Sequence, residues 1–245
     1  MVELSVVVPL YNEKDNLHRL YQAVTDAVQG RIESYEIVGV NDGSTDGSAE
    51  WLDRMAEADS RLRVIHFERN CGQTAAIYAG IKQASGRYIA LIDGDLQTDP
   101  NDIFTLMPYM KDYDFANGMR VRRQDTLVKR VSSRIGNGVR NKITGDKIND
   151  TGCPMKLFKR EVASSYFLYE GFHRFLPTLA RMNGYRVIEV PVSHREREFG
   201  VSKYGVWNRA LVGLMDAIVI GWLRKRTIRY RIKGEERVDV HAAKH

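Results

Sequence analysis

Four short runs rich in β-branched residues recur in the first hundred positions, at residues 5–9, 35–40, 62–67 and 88–92, and each ends in a polar turn. Runs of this length bounded by turn residues read as buried strands. Between them the apolar residues follow helical spacing: Leu17, Leu20, Tyr21, Val24 and Val28, then Trp51, Leu52 and Met55, then Ala75, Ala76, Ala79 and Gly80. Strands alternating with helices leave few architectures. The pattern predicts an α/β fold with a mostly parallel sheet and helices on both faces. Ligands of such sheets bind beyond the carboxyl ends of the strands. Chemistry is therefore expected in the loops at residues 10–13, 41–47, 70–73 and 93–97. A last strand is expected at 186–190, with the pattern breaking after Pro191.

Composition narrows the class. At 245 residues and 43% hydrophobic, the chain can bury a full core, which excludes a disordered or collagen-like chain. The two cysteines, Cys71 and Cys153, show neither a disulfide framework nor metal-ligand spacing, which suits a reducing compartment. Residues 1–10 lack a basic start and read as a strand, not a signal peptide. The apolar stretch 210–223 is shorter than a spanning helix requires and contains Asp216. The net charge of +6 is unevenly spread. Residues 1–114 carry 10 basic and 19 acidic groups, 115–160 carry 12 and 3, and 195–245 carry 12 and 6. An acidic half followed by basic segments suits a cation in the first and anions in the second.

The loops carry the chemistry. In Val8-Pro9-Leu10-Tyr11-Asn12-Glu13, Pro9 ends the strand, Tyr11 offers a stacking face and Glu13 offers acceptors. In Asn41-Asp42-Gly43-Ser44-Thr45-Asp46-Gly47, Gly43 permits a tight turn, Asp46 can cap a helix, and Asp42 stands where it could accept from a nucleobase or form a plain Asx turn. Neither a dinucleotide fingerprint nor a P-loop is present. In Asp93-Gly94-Asp95-Leu96-Gln97, two carboxylates and an amide follow a buried strand, a donor set suited to a hard divalent cation shared with substrate phosphates. The helical-looking span 125–143 is basic, and with its approach it carries Arg120, Arg122, Arg123, Lys129, Arg130, Ser133, Arg134 and Arg140. Arginine forks suit phosphate. The interleaved aromatics of a nucleic-acid surface are missing. Asp150 fits a base, an orienting carboxylate or a turn residue, and His173 fits a structural role better than a catalytic one. Arg195, Ser202 and Lys203 flank a glycine in a loop suited to closing over a diphosphate. Trp207, Leu211, Leu214, Met215, Ile218 and Trp222 then follow helical spacing before a polybasic run, which suits a segment lying in a membrane interface.

Taken in order, the motifs at 8–13, 41–47, 93–97 and 200–204 resemble glycosyltransferase family 2, in particular its polyprenyl-phosphate glycosyltransferases of the dolichyl-phosphate mannose synthase type. The resemblance implies a GT-A fold over residues 1–205, followed by an amphipathic interfacial helix and basic tail over 206–245. It implies a nucleotide-sugar donor, a polyprenyl-phosphate acceptor and Mg²⁺ or Mn²⁺. Carried over by residue, Pro9, Tyr11, Glu13 and Asp42 would meet the nucleoside. Asp93, Asp95 and Gln97 would hold the metal, while Arg195, Ser202 and Lys203 would grip the diphosphate. Arg120, Arg130, Ser133 and Arg134 would bind the lipid phosphate, and Asp95 and Asp150 would be the catalytic carboxylates. The expected setting is the cytoplasmic face of a membrane, held peripherally, with an anionic lipid surface and no nucleic acid as partner; a homo-oligomer is compatible. The alternatives are a soluble or polysaccharide acceptor and, more remotely, a non-catalytic membrane or nucleic-acid binder.

Overall fold

The computed structural model describes residues 2–120, 138, 140–193 and 206–227. The chain begins β1 (Leu4–Leu10), α1 (Lys14–Val28), β2 (Tyr35–Asn41), α2 (Ser48–Ala58), β3 (Leu62–His66), α3 (Gln73–Gln83) and β4 (Tyr88–Leu91). Next come α4 (Asp102–Leu106), continued by a 3₁₀ turn, then β5 (Phe115–Arg120), β6 (Lys156–Lys159) and α5 (Arg160–Ser164). A 3₁₀ turn at Phe172–Phe175 leads into α6 (Leu176–Met182), β7 (Val187–Val192) and α7 (Val206–Arg226).

The strands form one sheet in the order β3-β2-β1-β4-β6-β5-β7. β6 runs antiparallel to both β4 and β5, and every other pairing is parallel. Side chains alternate across the sheet. Val6 and Val8 join α1 residues Leu17, Leu20 and Val24 in one buried cluster. Val7, Val38 and Val40 join Ala76, Ile77 and Ile81 of α3 in the other. With both faces covered, β1 and β2 read as nearly continuous apolar runs. Gly80 brings α3 close, because a Cβ there would lie 2.4 Å from Val7 Cγ1.

The four expected strands are present, the third ending at His66 and the fourth at Leu91. β7 runs through Pro191 to Val192, beyond the expected break. It is an edge strand, where a missing N–H is tolerated. β5, with the sequence FANGMR, has Phe115 as its one strand-favouring residue and owes its place to burial between its neighbours. Residues 140–144 are helical, which agrees with the end of the expected basic helix. Arg122, Arg123, Lys129, Arg130, Ser133 and Arg134 lie outside the described residues, as do Arg195, Ser202 and Lys203.

α7 has two faces. Ala217 and Ile220 are buried in the second cluster. Asp216 lies 3.5 Å from Arg174, and Arg224 Nη1 donates to Thr144 O at 3.1 Å. On the other side Val212, Leu214, Met215, Ile218, Val219 and Trp222 are exposed, with the Arg226 guanidinium over the Trp222 ring. Among the described residues, no helix is long and apolar enough to cross a membrane.

Candidate active site

The loops after β1, β2 and β3 hold one another through backbone donors. Asn12, at φ +55°, donates its N–H to Ser44 Oγ at 2.9 Å and accepts from the Thr45 N–H at 2.8 Å. Asp46 accepts the Lys14 N–H at 3.0 Å and the Ser48 N–H at 3.0 Å, capping the starts of both α1 and α2. Burial works to raise the Asp46 pKa, but the donors from Ser48 and Lys14 outweigh it and hold the carboxyl below its ordinary range. Gly43, at φ +66°, lies against the next loop, and a Cβ there would stand 2.3 Å from the Arg69 carbonyl carbon.

Asp42 is buried, and its carboxylate accepts from Asn70 Nδ2 at 3.0 Å, from the Cys71 N–H at 2.6 Å and from the Gly72 N–H at 2.9 Å. The acceptor that the sequence offers to a nucleobase thus already joins two loops, and a base contact would use a remaining lone pair. Asn41 bonds His66 Nδ1 at 2.9 Å and accepts the Ser44 N–H at 3.1 Å, a structural pairing. Tyr11 is exposed in the first loop, and Glu13 accepts from Asn16 Nδ2 at 2.6 Å.

The loop after β4 nests beneath the first. A Cβ on Gly94 would lie 2.7 Å from Leu10 Cδ2 and 3.3 Å from Pro9 O, so the close approach favours glycine. Asp95 Oδ1 accepts the Gln97 N–H at 3.1 Å, and Asp93 Oδ1 accepts from Gln73 Nε2 at 3.0 Å. Burial first, and the neighbouring Asp95 charge second, push the Asp93 pKa up to about 6; Lys156, Gln73 and Arg120 oppose this. Two adjacent carboxylates that resist ionising together fit a divalent cation, whose charge removes the conflict. No group of three His, Cys, Asp or Glu residues gathers among the described residues. Oxygen ligands beyond Asp93 and Asp95 would therefore come from Gln97, water or substrate phosphates.

At the same end of the sheet, two strands away, lies a second, cationic arrangement. Arg120, at the end of β5, donates from Nε to Asp150 Oδ2 at 2.8 Å and from Nη2 to Asp150 Oδ1 at 2.8 Å. Burial works against the Arg120 charge, but the bond to Asp150 and its charge outweigh it and raise the pKa. The Asp150 loop is held from several strands. Asn117 of β5 donates to Asp150 O at 2.8 Å. Glu189 of β7 accepts the Asn149 N–H at 2.7 Å, Asn149 Nδ2 at 2.8 Å and the Asp150 N–H at 2.9 Å. Arg140 Nη1 donates to Thr151 Oγ1 at 2.8 Å. Lys156 of β6 is buried, donates to the carbonyls of Thr151 and Cys153, and has its pKa lowered by burial.

Gln73 closes the 70–73 loop where chemistry is expected, whereas Asn117, Lys156 and Glu189 belong to the candidate site without having been singled out by the sequence motifs. A lysine inside the apolar run at 155–158 and a glutamate inside the 187–190 strand were the available signals. Asn117 gave none. His173 bonds Thr74 Oγ1 at 2.7 Å and anchors the start of α3, a structural role.

The family profile described as Glycosyl transferase family 2 matches residues 5–167. An undecaprenyl-phosphate 4-deoxy-4-formamido-L-arabinose transferase of Yersinia pestis is 37% identical over 219 residues, covering 89% of this chain and 66% of the relative. The enzyme of the same name from Salmonella choleraesuis is 36% identical over the same shares. This chain thus spans just under two thirds of the curated relatives it matches. Among solved structures, glucosyl-3-phosphoglycerate synthase of Mycobacterium tuberculosis with Mn²⁺ and UDP-glucose superposes with a TM-score of 0.63 at 17% identity, covering 91% of this chain and 79% of that one. Its complex with Mg²⁺ and UDP gives 0.65 at 19%, covering 89% and 80%. These structural likenesses bear on the fold, which is GT-A-like. With its profile match across two thirds of its length and its ordered strand-end loops, the chain belongs to glycosyltransferase family 2.

Proposed function

We propose that this protein transfers a sugar from a UDP- or GDP-sugar to a polyprenyl phosphate, with inversion at the anomeric carbon. The observation that carries the reading is the meeting of two unlike sites at one end of the sheet. The acidic loop at Asp93 and Asp95 follows Leu91, which pairs with Lys156 of β6, and Lys156 in turn pairs with Asn117 of β5, the strand that ends at Arg120. One side suits a diphosphate-bound cation, and the other suits a phosphate acceptor. The relatives named above as undecaprenyl-phosphate transferases support the same acceptor.

In this reading Asp93, Asp95 and Gln97 hold Mg²⁺ or Mn²⁺, which supplies charge neutralisation at the donor diphosphate. Pro9, Tyr11, Glu13 and Asp42 form the nucleoside side, and Arg195, Ser202 and Lys203 close over the diphosphate. Arg120 binds the acceptor phosphate, with Arg130, Ser133 and Arg134 beside it. A phosphate oxygen forms the new bond to the anomeric carbon. The bond from that carbon to the diphosphate breaks, and its electron pair leaves on the diphosphate. The nucleophile is already an anion, so no proton must be removed. Asp150, locked in two bonds to Arg120, then serves as the orienting carboxylate of that arginine and not as a base.

The exposed apolar face of α7, with exposed Lys225 and Arg226 at its end, suits an anionic membrane surface on the cytoplasmic side. The test incubates the full chain with Mg²⁺ or Mn²⁺, undecaprenyl phosphate and a panel of UDP- and GDP-sugars that includes the 4-deoxy-4-formamido-L-arabinose donor. A lipid-linked sugar from one donor is expected. No lipid product from any donor, with transfer to a water-soluble acceptor instead, would overturn the acceptor assignment.

A further inference from the structure

We propose that Glu189, on the edge strand β7, is the positioning residue of the acceptor site, acting through the Asp150 loop to aim Arg120. The proposal rests on the acceptor-side reading above and assigns a residue that no motif marks. The Glu189 acceptor atoms go to the 149–150 segment. One oxygen takes the Asn149 N–H and side-chain amide, and the other takes the Asp150 N–H, all within 2.9 Å. Hydrogen bonds to an ionised acceptor are among the stronger ones. Two successive backbone N–H groups held by one carboxylate fix the direction of the peptide that carries Asp150.

The second hold comes from the opposite side. Asn117 is fully buried on β5 and donates Nδ2 to Asp150 O at 2.8 Å, while its own Oδ1 has no hydrogen-bond partner among the described residues. A buried amide that leaves its acceptor unmet gives up free energy locally, and such a cost in a native site calls for a reason. Here the donor side of that amide holds the Asp150 carbonyl. Asp150 is thus gripped at its N–H by β7, at its C=O by β5 and at its carboxylate by Arg120. β5 and β7 are paired in register, Asn117 opposite Glu189, so both grips issue from one rung of the sheet. A residue held at its N–H, its C=O and its carboxylate has little freedom left, and the guanidinium it binds inherits that order.

The experiment uses the full chain and the substitution Glu189→Gln, which keeps the size but replaces one acceptor oxygen with a donor. Three readouts are taken: amide hydrogen exchange across 148–153, steady-state transfer to undecaprenyl phosphate, and nucleoside diphosphate release without acceptor. Exchange in that loop is expected to rise at least about tenfold while β1 to β4 stay protected. Acceptor-dependent kcat should fall about ten- to a hundredfold, with donor KM within about twofold. Added to Arg120→Met, Glu189→Gln should cost less than about a further twofold, because both act through the same guanidinium. A folded Glu189→Gln protein with unchanged exchange and rates overturns the proposal. So do losses that multiply with Arg120→Met, or exchange that spreads through the sheet. Should Glu189→Gln not fold, Asn149→Ala removes one of the three bonds at an exposed position, and an unchanged loop and kcat would likewise overturn it. If the wild-type chain makes no lipid-linked sugar, the acceptor reading fails on its own, and exchange with acceptor-free donor cleavage still decides the role of Glu189.

Discussion

The two halves of the proposed active site, a proposed nucleotide side and a proposed acceptor side, are built by different means. On the nucleotide side, β1, β2, β3 and β4 are consecutive parallel strands, and their loops lock through backbone donors, glycine approaches and caps. On the acceptor side, an antiparallel strand intervenes, and the central loop is held by side chains from β5, β6 and β7. The first construction joins loop to loop mainly through backbone donors and tolerates little change at its glycines. The second relies on buried side chains and on charge. The difference teaches that a parallel α/β frame supplies loop ends almost without help, whereas a site placed across a strand reversal must be assembled by buried polar groups.

The largest effect is expected at the cation loop. Asp95→Ala should lower transfer by about 10²–10³-fold or more, with loss of divalent-ion binding measured by calorimetry. Retained activity at saturating Mn²⁺ would break the division of labour between the halves. Next in size is Arg120→Lys, which keeps the charge but loses the two-point bond to Asp150. Transfer should fall on the order of 10²-fold through misplacement of the acceptor, with donor KM unchanged. A change in donor KM instead would place Arg120 on the nucleotide side.

How far the sequence revealed each half follows from the same contrast. The motifs at 8–13, 41–47 and 93–97 stand out in the sequence because strand-end loops in a parallel sheet are continuous in sequence, whereas the partners of Gly43, Asp46 and Gly94 in the neighbouring loops are not visible there. β5 and β6 were not legible as strands, since Asn117 and Gly118 lack strand propensity and Lys156 interrupts an apolar run. Glu189 and Asn117 meet Asp150 across 39 and 33 positions, a separation that carries no periodic signal. Asp42 stood out in the sequence as a candidate, but its three protein donors did not.

A pair of glycine substitutions sharpens the comparison through stability. Gly43→Ala must accept φ +66° and a Cβ 2.3 Å from the Arg69 carbonyl carbon. A loss of about 2–4 kcal/mol is expected, seen as a Tm lower by roughly 5–15 °C. In the acceptor loop, a Cβ on Gly152 would meet Arg120 Nη2 at 3.7 Å and Asp150 Oδ1 at 3.9 Å, ordinary contact distances. Gly152→Ala should therefore cost less than about 1 kcal/mol, and equal losses at both positions would remove the distinction.

The smallest effect concerns acid and salt, and it separates the two constructions by the kind of donor each uses. Asp114 precedes β5, bonds Lys159 Nζ at 2.7 Å and accepts the Arg186 N–H at 2.9 Å, tying β5, β6 and β7 at the end away from the site. Burial works to raise its pKa, but the Lys159 bond, the Arg186 N–H and both cationic charges outweigh it and hold the carboxyl low. Asp46, its counterpart on the nucleotide side, is held low by the Ser48 hydroxyl and backbone N–H groups, which are neutral. For either group the folded pKa lies below the unfolded value near 4, so its contribution is present above that pH and is lost as pH falls through the folded pKa. Denaturant midpoints should fall below about pH 4 in the wild type, and Asp46→Asn or Asp114→Asn should each flatten that slope. Salt then distinguishes them. Raising ionic strength to about 1 M shortens the screening length to about 3 Å, which weakens full charges more than local dipoles. The share of acid sensitivity removed by Asp114→Asn should shrink in high salt, and the share removed by Asp46→Asn should persist. If both shares shrink alike, the nucleotide-side cap is electrostatically no different from the acceptor-side ion pair, and the contrast between the halves reduces to strand direction alone.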